Sequence, residues 1–494
     1  MEQTVSAGKL NWGKRACAIF ALCATAAIAL PAQTFTTLRS LFGTDGAYPS
    51  AGLVQAIDGN LYGTTYGGGA NCAPFGCGTV FKISTGGTLT TCYSFCSQSD
   101  CADGGGPQAA LVQAANGDFY GTTLNSGATR GTVFKITPGG TLTTLYNFCS
   151  HTGCTDGAQP YAGLVEATNG DFYGTTPSGG ANCVSDGGCG TVFKVTPSGT
   201  LTTLYSFCPQ SGCTDGEYPE AGLVQGPNGD FYGTTQAGGA NGWGTVFKIT
   251  PNGTLTTLYS FCSQSGCRDG EYPYGGLVRA VSGNFYGTTA NGGANDAGTI
   301  FKITPSGTLT TLHNFCSQSG CADGSDPQSA LIQATDGNFY GTTLYGGNDA
   351  SGTLFRITQS GAFTTLHSFC AQPGCPDGQY TYARLVQATN GDLYGTTSQG
   401  GANDLGTVFS LSVGLAPFVE TKPTSGEVGA AIRILGSDLT GATSVTFNGT
   451  AAVFEVVAPT EISTTVPAGA STGTVQVITP SGTLSSNVSF QVLP

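Results

Sequence analysis

Charge is scarce in this 494-residue chain. Only 9% of residues are Asp, Glu, Lys or Arg, and Met occurs once, Trp twice and His three times; an average globular protein carries roughly 25% charged residues. Sixteen basic against 29 acidic residues give a net charge of −13, which argues against a nucleic-acid partner, because phosphate binding needs clustered Lys and Arg. No Gly-Lys-Ser/Thr phosphate loop occurs. After residue 30 no apolar run is long enough to span a bilayer, which takes about 20 residues. The shortage of Met, Lys and Glu, set against 79 Gly and abundant Thr, points away from helices and toward strands and turns. What is plentiful is aromatic: 27 Phe and 20 Tyr, with 39% hydrophobic residues, enough to exclude disorder.

The first 32 residues read as a targeting segment. Lys9, Lys14 and Arg15 precede an apolar run from Ala16 to Leu30, followed by Pro31, Ala32 and Gln33. That is a charged region, a hydrophobic region and a small residue at the cleavage point, placed after Ala32 or, alternatively, after Ala29. An uncleaved anchor is the competing reading. Cleavage removes Lys9, Lys14, Arg15 and Glu2, leaving 13 basic and 28 acidic residues and a charge of −15. The expectation is a secreted or cell-surface protein with no membrane span in the mature chain.

Internal repetition then sets the architecture. Tyr-Gly-Thr-Thr begins at Tyr62, Tyr120, Tyr173, Tyr232, Tyr286, Tyr340 and Tyr394, at intervals of 53 to 59 residues. Gly-Thr-(Val/Ile/Leu)-Phe begins at Gly78, Gly131, Gly190, Gly244, Gly298, Gly352 and Gly406. Each unit holds four short β-branched and aromatic runs bounded by Gly, Asn and Pro, which predicts four antiparallel strands. Such sheets stack around an axis as propeller blades. The fourth run is missing after Phe409-Ser410-Leu411, and its seventh copy is Phe35–Phe42 near the start. An N-terminal strand that completes the last blade explains that displacement, and a linear solenoid does not. The sequence therefore predicts an all-β chain: a seven-bladed propeller over residues 33–413, closed by its N-terminal strand. From 416 to 494 the repeat stops, and short Val/Thr-rich alternating runs predict a small immunoglobulin-like β-sandwich.

The repeat Gly-Leu-Val-Gln-Ala-Ile-Asp-Gly-Asn-Leu-Tyr-Gly-Thr-Thr at Gly52–Thr65, followed by Gly78-Thr-Val-Phe-Lys-Ile, resembles the GloVer tandem repeats of bacterial exported proteins. That resemblance implies export and surface display, and it brings no settled activity. The end of the chain resembles an IPT/TIG domain, through Pro423-Thr-Ser-Gly, Ile434-Leu-Gly-Ser-Asp-Leu, Val445-Thr-Phe-Asn-Gly, Val466-Pro-Ala-Gly-Ala and Gly473-Thr-Val-Gln-Val. Such domains act as spacers or interaction modules, so no catalytic residue is carried over.

Nineteen Cys are present. One spacing recurs in Cys96/Cys101, Cys149/Cys154, Cys208/Cys213, Cys262/Cys267, Cys316/Cys321 and Cys370/Cys375, and two further pairs are Cys72/Cys77 and Cys183/Cys189. Export favours oxidation, so all eight are expected as disulfides rather than zinc ligands, and Cys92 is left over as a small hydrophobe.

Each blade has two tight turns and two long loops. Alternation along a meander places both long loops on one propeller face, the candidate binding surface for a glycan or a surface protein. Asp45 and Asp103, Asp156, Asp215, Asp269, Asp323 and Asp377 recur there in Asp-Gly turns; the last six are the candidate calcium ligands should any cation bind, although one carboxylate per loop suits a turn better. No other cofactor is implied. Aromatics on the same face include Tyr48, Tyr161, Tyr345, Tyr380 and Tyr382, with Tyr218, Trp243, Tyr272 and Tyr274 as the candidate ligand-stacking set. Glu217, Glu220 and Glu271 form an acidic cluster on adjacent blades, of which Glu217 and Glu271 are the candidate pair of a carbohydrate-active enzyme. His313 and His367 stand where other blades carry Tyr, and are expected as sheet-surface substitutions. Near-identical blades favour repeated binding sites or a structural ring over a catalytic centre.

Overall fold

The computed structural model describes residues 33–72, 76–125, 130–182 and 189–493. Residues 1–32, expected from the sequence to be a targeting segment, and Cys183 lie outside them. No α-helix is present among the described residues.

Strand β1 is Thr34–Ser40. The first complete blade follows as β2 (Val54–Gln55), β3 (Leu61–Thr65), β4 (Thr79–Ile83) and β5 (Leu89–Ser94), paired in that order and all antiparallel. The pattern repeats until seven four-stranded sheets have formed, β2-type strands innermost and β5-type strands outermost. The turn from β2 to β3 shows why the chain reverses here. The Gly59 amide donates to the Ala56 carbonyl at 2.9 Å, Gly59 takes a φ of +81°, and the Asp58 carboxylate accepts from the Asn60 amide and the Tyr62 hydroxyl.

Every residue of β3 is buried, and so is every residue of its six counterparts. These strands are sandwiched between blades. Gly63 stands opposite Phe81 on β4, and a Cβ on it would lie 2.7 Å from that ring and 2.6 Å from Leu53. Glycine at this place in Tyr-Gly-Thr-Thr is thus the room in which the Phe of the next strand packs. The tyrosine does the opposite job and reaches outward. Tyr62 stacks on Phe119 of the following blade at 4.3 Å, and the stack recurs as Tyr120–Phe172, Tyr173–Phe231, Tyr232–Phe285 and Tyr286–Phe339 at 4.0–4.1 Å.

A ring of amides binds the inner strands together. The Gln113 side chain accepts from the Ile57 amide of the preceding blade at 3.2 Å; Gln225 does so from Thr168, Gln333 from Val281, Gln387 from Thr335 and Gln55 from Thr389. At the fifth blade the partner position is Pro227, which has no amide hydrogen, and there the acceptor is replaced by Arg279. The substitution matches the missing donor.

Closure comes from β1. It pairs antiparallel with Thr407–Ser412, from Thr34 opposite Ser412 to Ser40 opposite Thr407, and supplies the outer strand of the last blade. Phe35 stacks on His367 at 3.9 Å and on Phe409 at 5.2 Å, and Leu41 is fully buried.

The sandwich has one sheet of Glu420–Lys422, Ala431–Leu435, Glu461–Thr465 and Phe454–Ala458, and a second of Thr450–Ala451, Ser444–Phe447, Val475–Thr479 and Gly482–Ser485. Ile432, Ile434, Val445, Phe447, Ile462 and Phe490 fill its core. It docks on the tight-turn face of the propeller. The Phe418 amide donates to the Thr389 carbonyl at 3.0 Å, Ser437 and Thr389 share a hydroxyl bond at 3.0 Å, and the Thr460 methyl sits against Gly59.

Candidate ligand site at the propeller axis

The recurring aspartates come first, because they organise the long-loop face. Asp103 accepts from the Tyr93 hydroxyl (2.8 Å), the Ser97 amide and hydroxyl (2.9 and 3.0 Å) and the Gln98 amide (3.2 Å). Asp269 repeats the set with Tyr259, Ser263 and Gln264. Asp156 holds Tyr146 and Ser150, Asp215 holds Tyr205 and the Cys208 amide, and Asp45 pairs with Arg39. His313 and His367 take over the tyrosine's part, with Nε2 at 3.1 Å from Asp323 and 2.9 Å from Asp377. They are partners of the loop aspartates rather than plain surface substitutions. Burial lowers the His313 pKa, against the pull of Asp323. Burial pushes Asp323 up, but bonds from the Ser317 hydroxyl and amide and the Gln318 amide outweigh it and hold the carboxyl below its usual range.

Each of these carboxylates is thus engaged by donors of its own blade. None of the six calcium candidates belongs to a described group of three or more metal-capable side chains. The melting temperature is expected to be the same in EDTA as in millimolar calcium, by scanning calorimetry; a calcium-dependent rise would show that the loops do bind the ion.

Seven disulfides are described: Cys72–Cys77, Cys96–Cys101, Cys149–Cys154, Cys208–Cys213, Cys262–Cys267, Cys316–Cys321 and Cys370–Cys375. Cys92 is a half-buried free thiol whose pKa burial raises.

The glutamates of the proposed catalytic pair have separate surroundings. Glu217 bridges backbone-to-backbone to Ala237 and Glu271 to Asn291, at equivalent positions of neighbouring blades. Burial raises the pKa of both, with Asp215 adding to it at Glu217 and Asp296 at Glu271. Of the aromatic set, Trp243 meets Tyr272 edge-on at 5.1 Å, and the Tyr272 amide donates to the Trp243 carbonyl, so this pair ties two loops together. Tyr218, Trp243 and Tyr272 do not line the axial pocket. Tyr274 does.

That pocket has a volume of about 900 Å³ and runs down the propeller axis. Its mouth, on the long-loop face, is set by one position from each blade: Ser50, Gln108, Tyr161, Glu220, Tyr274, Gln328 and Tyr382. Seven copies of a repeat converge here, yet they differ. Three are tyrosines and one is a carboxylate. Two residues further in stand Gly52, Ala110, Gly163, Gly222, Gly276, Ala330 and Arg384. Six are small because neighbouring backbones approach closely: a Cβ on Gly163 would lie 2.9 Å from the Ala110 carbonyl oxygen. The seventh is a guanidinium. At the far end Glu420 and Lys422 of the sandwich line the pocket, joined at 3.3 Å.

Glu220 is the only acidic side chain at the mouth position, and burial alone pushes its pKa up to about 7. In the unfolded chain it titrates near 4.5, so the folded state holds the extra proton between those values. Its contribution to stability is therefore full below pH 4.5 and is lost as pH rises through 7. Glu220→Gln is expected to stabilise the protein at pH 8 by about 1–2 kcal/mol, after discounting for water in the pocket, with no gain at pH 4. Urea melts at the two pH values check this, and equal effects at both would contradict it.

Sequence reading placed Glu220 in an acidic cluster and Tyr161, Tyr274 and Tyr382 among the loop aromatics, but it missed Arg384 and also Tyr66, a further ring that lines the pocket. One signal was available for Arg384. In the recurring triplet that ends on Leu, whose middle residue is Gly or Ala in six copies, only Ala383-Arg384-Leu385 carries a large residue at the middle place.

The Gloeobacter/Verrucomicrobia repeat family model matches residues 25–184, 150–322 and 263–453, and the IPT/TIG domain model matches 419–492. Among solved structures, the chain is similar to the extracellular domain of a protein assigned as a hybrid two-component system from B. thetaiotaomicron. The identity is 13% and the TM-score 0.46, over 94% of this chain and 59% of that one. It is also similar to a protein assigned as a gluconolactonase, at 11% identity and a TM-score of 0.37, over 78% and 94% of the two chains. A luciferin-regenerating enzyme is similar at 10% identity and a TM-score of 0.37, over 78% and 98%. No curated protein matches the sequence. A repeat model that covers most of the chain, together with the repeating four-stranded sheets, shows that this protein belongs to the Gloeobacter/Verrucomicrobia repeat family and carries an IPT/TIG domain after its propeller.

Proposed function

We propose that this is an extracytoplasmic binding protein without catalytic activity, which receives a saccharide in the mouth of the axial pocket. The observation that carries this reading is the mouth itself: Tyr161, Tyr274 and Tyr382 surround a pocket of about 900 Å³ that also offers the amides of Gln108 and Gln328. Flat amphipathic rings stack on sugar faces while amides bond hydroxyls, and the volume falls within the usual range of ligand pockets. The sandwich supports a one-ended site, because Glu420 and Lys422 stand at the opposite end. The described disulfides fit an oxidising compartment.

A hydrolase reading needs two carboxylates about 5–9 Å apart. The mouth position supplies one, Glu220, and the other carboxylate lining the pocket, Glu420, is paired with Lys422 at the far end. Binding is therefore preferred to turnover. The test is a glycan array with residues 33–494 secreted from an oxidising compartment, followed by titration of any hit. Replacing Tyr161, Tyr274 and Tyr382 by Ala is expected to weaken binding at least about 100-fold, since a stacked ring is worth about 1 kcal/mol or more. Unchanged affinity in that variant, or release of reducing ends by the unaltered protein, would refute the reading.

A further inference from the structure

Arg384 is the single large side chain at a pocket-lining position that is Gly or Ala in the other six blades. Among the described residues it makes no hydrogen bond or salt bridge, and its one charged neighbour of consequence is Glu420. Protein surrounds it, which lowers its pKa, while its surface remains open to the pocket. A guanidinium stays charged in such a setting and keeps five donors in a fixed fork.

Neither pocket carboxylate forms an ion pair with it. Glu420 is held by Lys422 at 3.3 Å, and the burial that raises Glu220 favours its neutral form. The lumen therefore presents one guanidinium without an ion-pair partner among the described residues, reached past three tyrosines. A planar, bidentate anion matches that fork best, and a carboxylate is such an anion.

On these grounds, and resting on the saccharide-binding reading above, we propose that the axial pocket selects a carboxylate-bearing sugar, of the uronic-acid class, with its carboxylate on Arg384 and its rings at the tyrosine mouth.

The test compares trigalacturonate with its methyl ester, a neutral ligand of nearly the same shape, by calorimetric titration of residues 33–494. The acid is expected to bind about tenfold or more tightly than the ester, as one charge-assisted pair in an enclosed site requires. Arg384→Ala and Arg384→Gln are expected to bring that ratio close to one. Arg384→Lys should recover only part of it, because an ammonium lacks the fork. Their melting temperatures should equal or exceed that of the unaltered protein, since an unpaired charge has been removed. Equal affinity for acid and ester overturns the carboxylate inference and leaves saccharide binding standing. Failure of both ligands to bind counts against both readings. Displacement of the acid by acetate at the same concentration as by galacturonate overturns it too, as that marks a site for any anion. The comparison of acid and ester on the unaltered protein holds whether or not the variants fold.

Discussion

Removing residues 33–42 is expected to abolish cooperative folding of the propeller. The strand Thr407–Ser412 would lose its whole outer partner, a pairing that runs from Thr34–Ser412 to Ser40–Thr407. Phe409 and His367 would lose the Phe35 ring stacked on them, and the fully buried Leu41 would leave a cavity. An unpaired edge strand is also a template for aggregation. In a ring the damage is not local, because the last blade also closes on the first through the Thr396 hydroxyl to the Ala51 carbonyl (3.2 Å) and through Gln55 to the Thr389 amide (2.8 Å). Circular dichroism melts and size-exclusion chromatography of 43–494 against 33–494 measure the effect. Milder variants grade it: Leu41→Ala is expected to cost about 2–5 kcal/mol. A synthetic 33–42 peptide added in trans should restore part of the transition, as strand addition to an open edge does. If 43–494 melts like the longer chain, the strand does not fasten the ring.

Reduction of the disulfides is expected to have the next largest effect. Each of the seven described bridges spans a sequence separation of 5, so each closes a loop of six residues. The chain-entropy account gives about 2 kcal/mol per loop of that size, and seven together rival the whole stability of an ordinary domain. A drop in melting temperature of about 10 °C or more in reductant is the expected result. The contribution of one bridge is read from Cys262→Ser with Cys267→Ser. The same loop is held by the fully buried Asp269, which accepts from Tyr259, Ser263 and Gln264. Asp269→Ala alone is expected to cost about 2–4 kcal/mol, because several buried donors lose their acceptor at once. Bridge and carboxylate order one loop, so the combined variant should lose less than the sum of the two. Full additivity would show that they act on separate elements.

Much of this protein is written locally. A strand needs only an alternating or buried run between turn residues, and a tight turn needs only its Asp-Gly or Asn-Gly. Repetition multiplied those local signals sevenfold, so the all-β class, the repeating blades and the sandwich were legible from Tyr-Gly-Thr-Thr, Gly-Thr-Val-Phe and the Val/Thr-rich tail. Even the closing strand was visible, as a fourth run found at the beginning of the chain and missing at the end of the repeats. The cysteine spacing gave the described bridges for the same reason: both partners lie in one loop.

The axial pocket was not legible in that way, because no local segment contains it. Its mouth is one residue from each of seven copies, about 54 positions apart, and its rim becomes a site only when the ring brings Tyr161, Tyr274 and Tyr382 around Glu220. The loop aromatics were sorted by the same geometry, Tyr274 to the axis and the Trp243–Tyr272 pair to a contact between loops. Which end of the pocket the sandwich occupies also depended on docking rather than on sequence, since Glu420 and Lys422 are an ordinary strand pair until that strand is placed at the axis. The sequence alone determined the blades, their order and their covalent staples, because those depend on neighbours along the chain. The tertiary structure alone decided that Arg384 and Glu220 share one pocket with three tyrosines, because that depends on distance through space, which a repeat conceals by making every copy look alike.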